Sequence, residues 1–139
     1  MIAIVISSFN KRVTDGLLEG CLLALKENNH SRDRIEIHEV PGAFELPAKV
    51  QYLDSKNKYS CIIALGCIIK GDTYHFEIIA NETTKKIMDL SVDNLIPIGF
   101  GIITCYNLDQ AIIRSDINQK NKGREAALAC IQLSLIHIS

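Results

Sequence analysis

The segment from Cys61 to Glu82 constrains the chain more than any other. It begins C-I-I-A-L-G-C, an apolar run with no polar alternation. A strand of that kind has no face for water, so it needs cover on both sides, as in a parallel sheet held between helices. The run predicts a strand over Ser60 to Cys67 that bends at Gly66. A polar knot follows, Lys70-Gly71-Asp72-Thr73-Tyr74-His75. The period then becomes helical from about Thr73 to Leu90, with Phe76, Ile79, Ala80, Thr83, Ile87 and Leu90 on one face. A helix start has unpaired backbone N–H groups and the positive end of the helix dipole, so this junction suits an anion. His75, in the first turn, puts a titratable group beside it.

The rest of the chain repeats the unit. Ile2 to Ile6 is a short β-branched run, followed by a helical stripe of Val13, Leu17, Leu18, Leu22, Leu23 and Leu25, with Thr14 or Asn10 near its start. Arg34 to Val40 alternates apolar and polar residues, which suits a strand near a sheet edge. Ala43 to Ser55 reads as a helix with Phe44, Leu46, Val50 and Leu53 inward. Pro47 is tolerated only in a first turn, which sets the helix start near Phe44 to Leu46. Leu95 to Thr104 is the fourth strand, with Gly99 and Gly101 near its carboxyl end. Leu108 to Ser115 and Arg124 to Ile136 are the last helices, separated by the polar Gln119 to Gly123. Alternating strands and helices predict an α/β three-layer sandwich. Its four-stranded parallel sheet has the flavodoxin-like order 2-1-3-4, right-handed crossovers and helices on both faces. The length, 139 residues, suits one domain spanning 1–139.

Charge and cysteine content narrow the function classes. A net charge of −1 gives no electrostatic reason to expect nucleic acid or an anionic membrane as partner. The five cysteines include no C-x-x-C pair, and most sit in apolar runs. They read as buried free thiols in a reducing compartment, not a disulfide framework or zinc site. No leader or spanning segment is evident, so a cytoplasmic protein is expected.

In an open parallel sheet, ligands bind outside the carboxyl ends of the strands. The segments leaving those ends are Ser8-Phe9-Asn10, Pro41 to Glu45, Gly66 to His75, and Gly99 to Thr104. They carry glycines, aromatics, a carboxylate and a histidine. His75 could merely start its helix, but its place beside an anion site favours acid–base work. Glu45 could answer the helix dipole or accept hydrogen bonds from a polar heterocycle, and the two readings are about even. Phe9 and Phe100 could be core or could stack on a flat ligand. Cys67 is read as a small wall residue before a nucleophile. Asp72 or Thr73 most simply caps the third helix, and Lys70, Arg114 and Lys122 read by themselves as solvated charges. There is no G-x-x-x-x-G-K-[ST], no G-x-G-x-x-G after the first strand and no G-x-S-x-G.

Six segments together carry a resemblance over almost the whole chain: S-x-F-N, P-G-A-F-E-L-P, L-G-C-I-I-K-G-D-T-Y-H-F, G-F-G-I-I-T, D-Q-A-I-I-R and N-K-G. In order and spacing they are similar to those of the lumazine synthases of riboflavin synthesis. The resemblance implies condensation of 5-amino-6-(D-ribitylamino)uracil with 3,4-dihydroxy-2-butanone 4-phosphate, releasing phosphate and water. It implies no cofactor and no metal. It assigns Phe9, with Asn10 beside it, to the pyrimidine. Ala43, Phe44, Glu45, Cys67, Ile68 and Ile69 line the uracil and ribityl chain. Asp72 and Thr73 offer amides to the phosphate, Arg114 pairs with it, and His75 is the proton donor. Phe100 closes the pyrimidine pocket and Lys122 adds positive charge.

The resemblance also implies that Phe100, Arg114 and Lys122 come from a neighbouring subunit of a pentamer. Pentamer and sixty-subunit shell both stay open, because Ser115 to Gln119 lacks the glycines of some shell-forming relatives. Association with riboflavin synthase is a further partner of that reading. Two departures stand out: the chain begins almost at its first strand, and Asp72 stands where a small residue is common. The alternative is a homologue that binds flavin or lumazine, or forms a shell, without turnover.

Overall fold

The computed structural model describes residues 1–138. Four strands form one parallel sheet in the order β2-β1-β3-β4. They are β1 (Ile2–Ser7), β2 (Ile35–Val40), β3 (Cys61–Ile69) and β4 (Ile98–Cys105). Helices α1 (Lys11–Glu27), α2 (Leu46–Asp54), α3 (His75–Asp93), α4 (Leu108–Ser115) and α5 (Lys122–Ile138) lie between and after them. This is the three-layer α/β fold expected from the alternation of periods.

Each central strand divides its side chains between two cores, as the strand period of two requires. Ile2, Ile4 and Ile6 of β1, with Cys61, Ile63, Leu65 and Cys67 of β3, face α1, α4 and α5. Ala3 and Val5, with Ile62, Ala64 and Ile68, face α2 and α3. Both strands are therefore buried on both faces, so they read as unbroken apolar runs. Fully burying one such isoleucine stabilises by about 1.5–3 kcal/mol. Strand β2 is an edge, and it is the strand whose sequence alternates.

Several local expectations need correction. Gly66 does not bend the chain. It lies inside β3, paired with Ile102, and a Cβ there would sit 2.8 Å from Leu46 Cδ1. Its role is close approach of the sheet to α2, and β3 runs on to Ile69. Gly99 and Gly101 lie in the first half of β4, not near its carboxyl end. A Cβ on Gly99 would meet the Ala126 carbonyl at 2.3 Å, so the missing side chain lets α5 lie directly on the strand there. Phe100 is consequently not at a strand end.

Phe44 is 60% exposed, because Ala43–Glu45 form a 3-10 turn that rotates it away from the core before α2 begins. Leu23 is also exposed, and Cys21 and Ala24 take the inward positions on α1. The third helix starts at His75, and neither Asp72 nor Thr73 is its N-cap. Helix α5 starts at Lys122, two residues before the expected Arg124.

The cysteines are also not all free. Cys61 of β3 and Cys130 of α5 are joined as a disulfide with Cα atoms 5.9 Å apart, inside the span such a bond allows. They are 69 residues apart in sequence, and only the packing of α5 on the sheet brings them together. Cys21, Cys67 and Cys105 are free and buried.

Candidate active site

The carboxyl ends of β1, β2 and β3 open onto one cleft of about 580 Å³. Its first wall comes from the loop after β1. Ser8 N donates to Val40 O at 2.9 Å and Phe9 N to Pro41 O at 3.0 Å. These bonds hold the β1 loop against the β2 loop, and Phe9 stands 70% exposed at the rim. Asn10 follows in the left-handed region, φ 62°, and turns the chain into α1. Asparagine tolerates that conformation better than most residues.

The second wall is the turn after β2. Glu45 Oε1 accepts from Gly42 N at 2.9 Å and so fixes the turn that presents Ala43 and Phe44 to the cleft. The helix-start role weighed for Glu45 is thus realised by one of its oxygens. Glu45 also lines the cleft.

The third wall is the end of β3 and the start of α3. Cys67, Ile68, Ile69, Gly71, Thr73, His75, Phe76 and Ile79 all line it. Lys70 N donates to Cys105 O at 2.9 Å, extending the β3–β4 ladder to the edge of the turn. Phe76 lies against Tyr106, ring centroids 6.5 Å apart, which seats the first turn of α3. The amide of His75 reaches Thr73 Oγ1 at only 3.4 Å. Residues 71–75 are exposed and Gly71, Thr73 and His75 line the cleft, so the start of this 19-residue helix borders it with little side-chain capping. A helix N-terminus in that state is a ready anion site.

Burial pushes the Cys67 thiol up to about 12, with nearby Cys105 adding to the shift. A thiol held protonated in this way is a poor nucleophile.

The structure therefore brings Phe9, Asn10, Ala43, Phe44, Glu45, Cys67, Ile68, Ile69, Thr73 and His75 into one cleft. It does not bring Phe100, Arg114 and Lys122 there. They line a different cleft, about 560 Å³, between β4, the end of α4 and the start of α5. Arg114 Nη1 donates to Gln110 O at 3.2 Å, and Lys122 pairs with Glu125 at 3.1 Å. Asp72 is not in the lining of either cleft. Sequence reasoning passed over Gly42, Gly71, Phe76 and Ile79 as site residues. Gly71 and Gly42 were visible as turn glycines, but Phe76 and Ile79 looked like ordinary inward helix positions.

Residues 1–137 match the family model described as 6,7-dimethyl-8-ribityllumazine synthase. A protein of that name from Kosmotoga olearia is 44% identical over 133 residues, covering 96% of this chain and 85% of its own. One from Blochmanniella pennsylvanica is 47% identical over 133 residues, covering 95% and 84%. The chain belongs to the 6,7-dimethyl-8-ribityllumazine synthase family.

Proposed function

We propose that this chain condenses 5-amino-6-(D-ribitylamino)uracil with 3,4-dihydroxy-2-butanone 4-phosphate, giving 6,7-dimethyl-8-ribityllumazine, phosphate and water. The observation that carries the reading is the cleft itself. It combines an apolar lining that includes Phe9 and Phe44, a helix start with little side-chain capping for an anion, and His75 at that helix start.

The pyrimidine lies in the cleft, stacked on Phe9, with Ala43 to Glu45 and Cys67 to Ile69 along its edge and ribityl chain. The amides of Asp72 and Thr73 receive the phosphate. The uracil amine attacks the ketone to form a Schiff base, and water leaves. Phosphate elimination follows, then tautomerisation, ring closure and a second dehydration. His75 moves the protons, since an imidazole can give and take them near neutrality. Charge on the leaving phosphate needs fixed positive partners, supplied by the amides of the turn leading into α3 and by Arg114. Holding two small reactants together supplies much of the remaining rate.

Arg114, Phe100 and Lys122 act in this scheme on the cleft of a neighbouring copy. Their separation from His75 in one chain supports that arrangement. So does the outer side of α3, where Ile78, Met88 and Val92 are exposed, as are Leu95 and Phe100, and where Met88 and Phe100 line one pocket. An apolar surface of that kind calls for a covering partner. The assembly is a ring of five, alone or built into a shell, and one domain spanning 1–139 carries both halves of the site. No helix among the described residues is long and apolar enough to cross a membrane, in keeping with work in the cytoplasm.

The test is the two-substrate assay for fluorescent product, with a native mass measurement on the same sample. Product is expected, with a slower rate in His75→Ala. An assembled protein that binds flavin but makes no product at high concentration would overturn the assignment.

A further inference from the structure

The residues that carry positive charge to the neighbouring cleft sit at the two ends of one loop. Arg114 is next to the last residue of α4, and Lys122 is the first of α5. Between them is Asn121, only 4% exposed. Its Nδ2 donates to Ser115 O at 2.8 Å and to Gly16 O at 2.9 Å. Its Oδ1 accepts from Arg124 N at 2.9 Å. One buried amide thus bonds the end of α4, the middle of α1 and the start of α5.

The packing around it leaves no slack. A Cβ on Gly20 would fall 2.1 Å from Asn121 Oδ1, one on Gly16 would fall 2.5 Å from Ser115 O, and one on Gly123 would fall 1.9 Å from Leu17 O. Three glycines let α1 lie directly on this corner. A helix cap alone would need only the Oδ1 bond, and serine or aspartate would serve. The two donations to carbonyls are a different requirement. They fix where α4 ends relative to α5, and so fix the spacing of Arg114 and Lys122.

We propose that Asn121 is a positioning residue for the phosphate substrate, acting through Ser115 O and Gly16 O to set Arg114 beside Lys122. The proposal rests on the reading of Arg114 as the group that meets the phosphate. Asn121 itself touches no reactant.

The variants are Asn121→Ser, which keeps the cap, and Asn121→Asp, which keeps the shape but turns an oxygen toward two carbonyls. Each is assayed as the assembled enzyme with both substrates varied, beside Arg114→Ala and the Asn121→Ser/Arg114→Ala double variant. Asn121→Ser is expected to raise KM for the phosphate ketone about tenfold while KM for the pyrimidine changes less than about twofold. Asn121→Asp is expected to be worse than Asn121→Ser. The double variant is expected to be no worse than Arg114→Ala alone, since residues acting through one another are not additive.

Unchanged KM values in Asn121→Ser beside an impaired Arg114→Ala would overturn the positioning role and leave Arg114 in place. Equal rises for both substrates, full additivity, or loss of assembly in Asn121→Ser would overturn it too. Wild-type phosphate use by Arg114→Ala would overturn the reading of Arg114 and the proposal together.

Discussion

Two impaired variants of this chain are expected to make a faster enzyme than either parent when co-assembled. His75 lines the cleft at the carboxyl ends of β1 to β3, and Arg114 lines the separate cleft on the β4 side. If every working site joins the first face of one copy to the second face of the next, neighbours can complement each other. Equal co-expression of His75→Ala and Arg114→Ala chains gives each site a one-half chance of an intact His75. It has an independent one-half chance of an intact Arg114. About a quarter of sites are then fully wild type, so the mixture should turn over at about a quarter of the wild-type rate. If the two residues served one site within a chain, no site in the mixture could have both, and the rate would be the mean of the two poor parents. A second mixture separates the cases from the other side. Wild type with the double variant should keep about a quarter of its sites if they are shared, against about a half if they are not. The assay is product fluorescence on tagged, co-purified assemblies, with chain ratios checked by mass. A first mixture no better than its parents, with the second near a half, would refute the shared site.

Arg114→Ala should lose about 1.5–3 kcal/mol of charge-assisted hydrogen bonding, or about 10- to 150-fold in kcat/KM for the phosphate ketone. An equal loss against a substrate without phosphate would argue otherwise. Gly99→Ala should cost about 1–3 kcal/mol or more, read as a lower urea midpoint, because its Cβ would meet the backbone carbonyl of Ala126 at 2.3 Å. Alkylation followed by mass spectrometry should label no cysteine quickly in the native protein, Cys21, Cys67 and Cys105 after unfolding, and Cys61 and Cys130 only after reduction; five labels without reductant would remove the disulfide. The Glu36 carboxyl is held down from 4.5 to about 2, first by the Tyr59 hydroxyl and then by Lys58 and His38. Such a depressed group stabilises the fold fully above its unfolded pKa and loses that effect as pH falls through about 2. The thermal midpoint of Tyr59→Phe should therefore fall less than that of the wild type between about pH 5 and about pH 2; parallel curves would refute the coupling.

Strand and helix order was legible because each element has a period of its own. Ile2 to Ile6 and Cys61 to Cys67 could only be covered strands, and Thr83, Ile87 and Leu90 could only share a helix face. The misreadings came where one residue type serves two physical purposes. Glycine at 66, 99 and 101 permits either a bend or a close contact, and the sequence carries no mark of which. The contacts that decide it, Leu46 and Ala126, lie far along the chain. Phe44 obeys the helix period but sits one turn too early, in a 3-10 segment whose pitch points it into the cleft. The Cys61–Cys130 bond depends on how α5 crosses β3 and β4, which no local pattern encodes. Of the site, the first three loops were visible as unusual stretches converging on one sheet edge. Arg114 and Lys122 were not. On a helix pattern they are indistinguishable from solvated charges, and only resemblance singled them out.

That difference has a physical origin. Residues that act within their own chain must be delivered by local structure, so they sit in turns with glycine, proline or a left-handed asparagine such as Asn10. Such turns leave a sequence trace. Residues proposed to act on another copy would be delivered by the shape of a surface, and a surface is held from beneath. Arg114 and Lys122 carry no special backbone geometry themselves. The specialised residues are the ones under them: Asn121 with its three hydrogen bonds, and Gly16, Gly20 and Gly123 against it. If Arg114 and Lys122 act on a neighbouring copy as proposed, the buried Asn121 and the glycines four apart on the facing helix mark that half-site better than the charges do. On that proposal the signature lies one layer below the chemistry, where Asn121 bonds the ends of α4 and α5 that carry those charges.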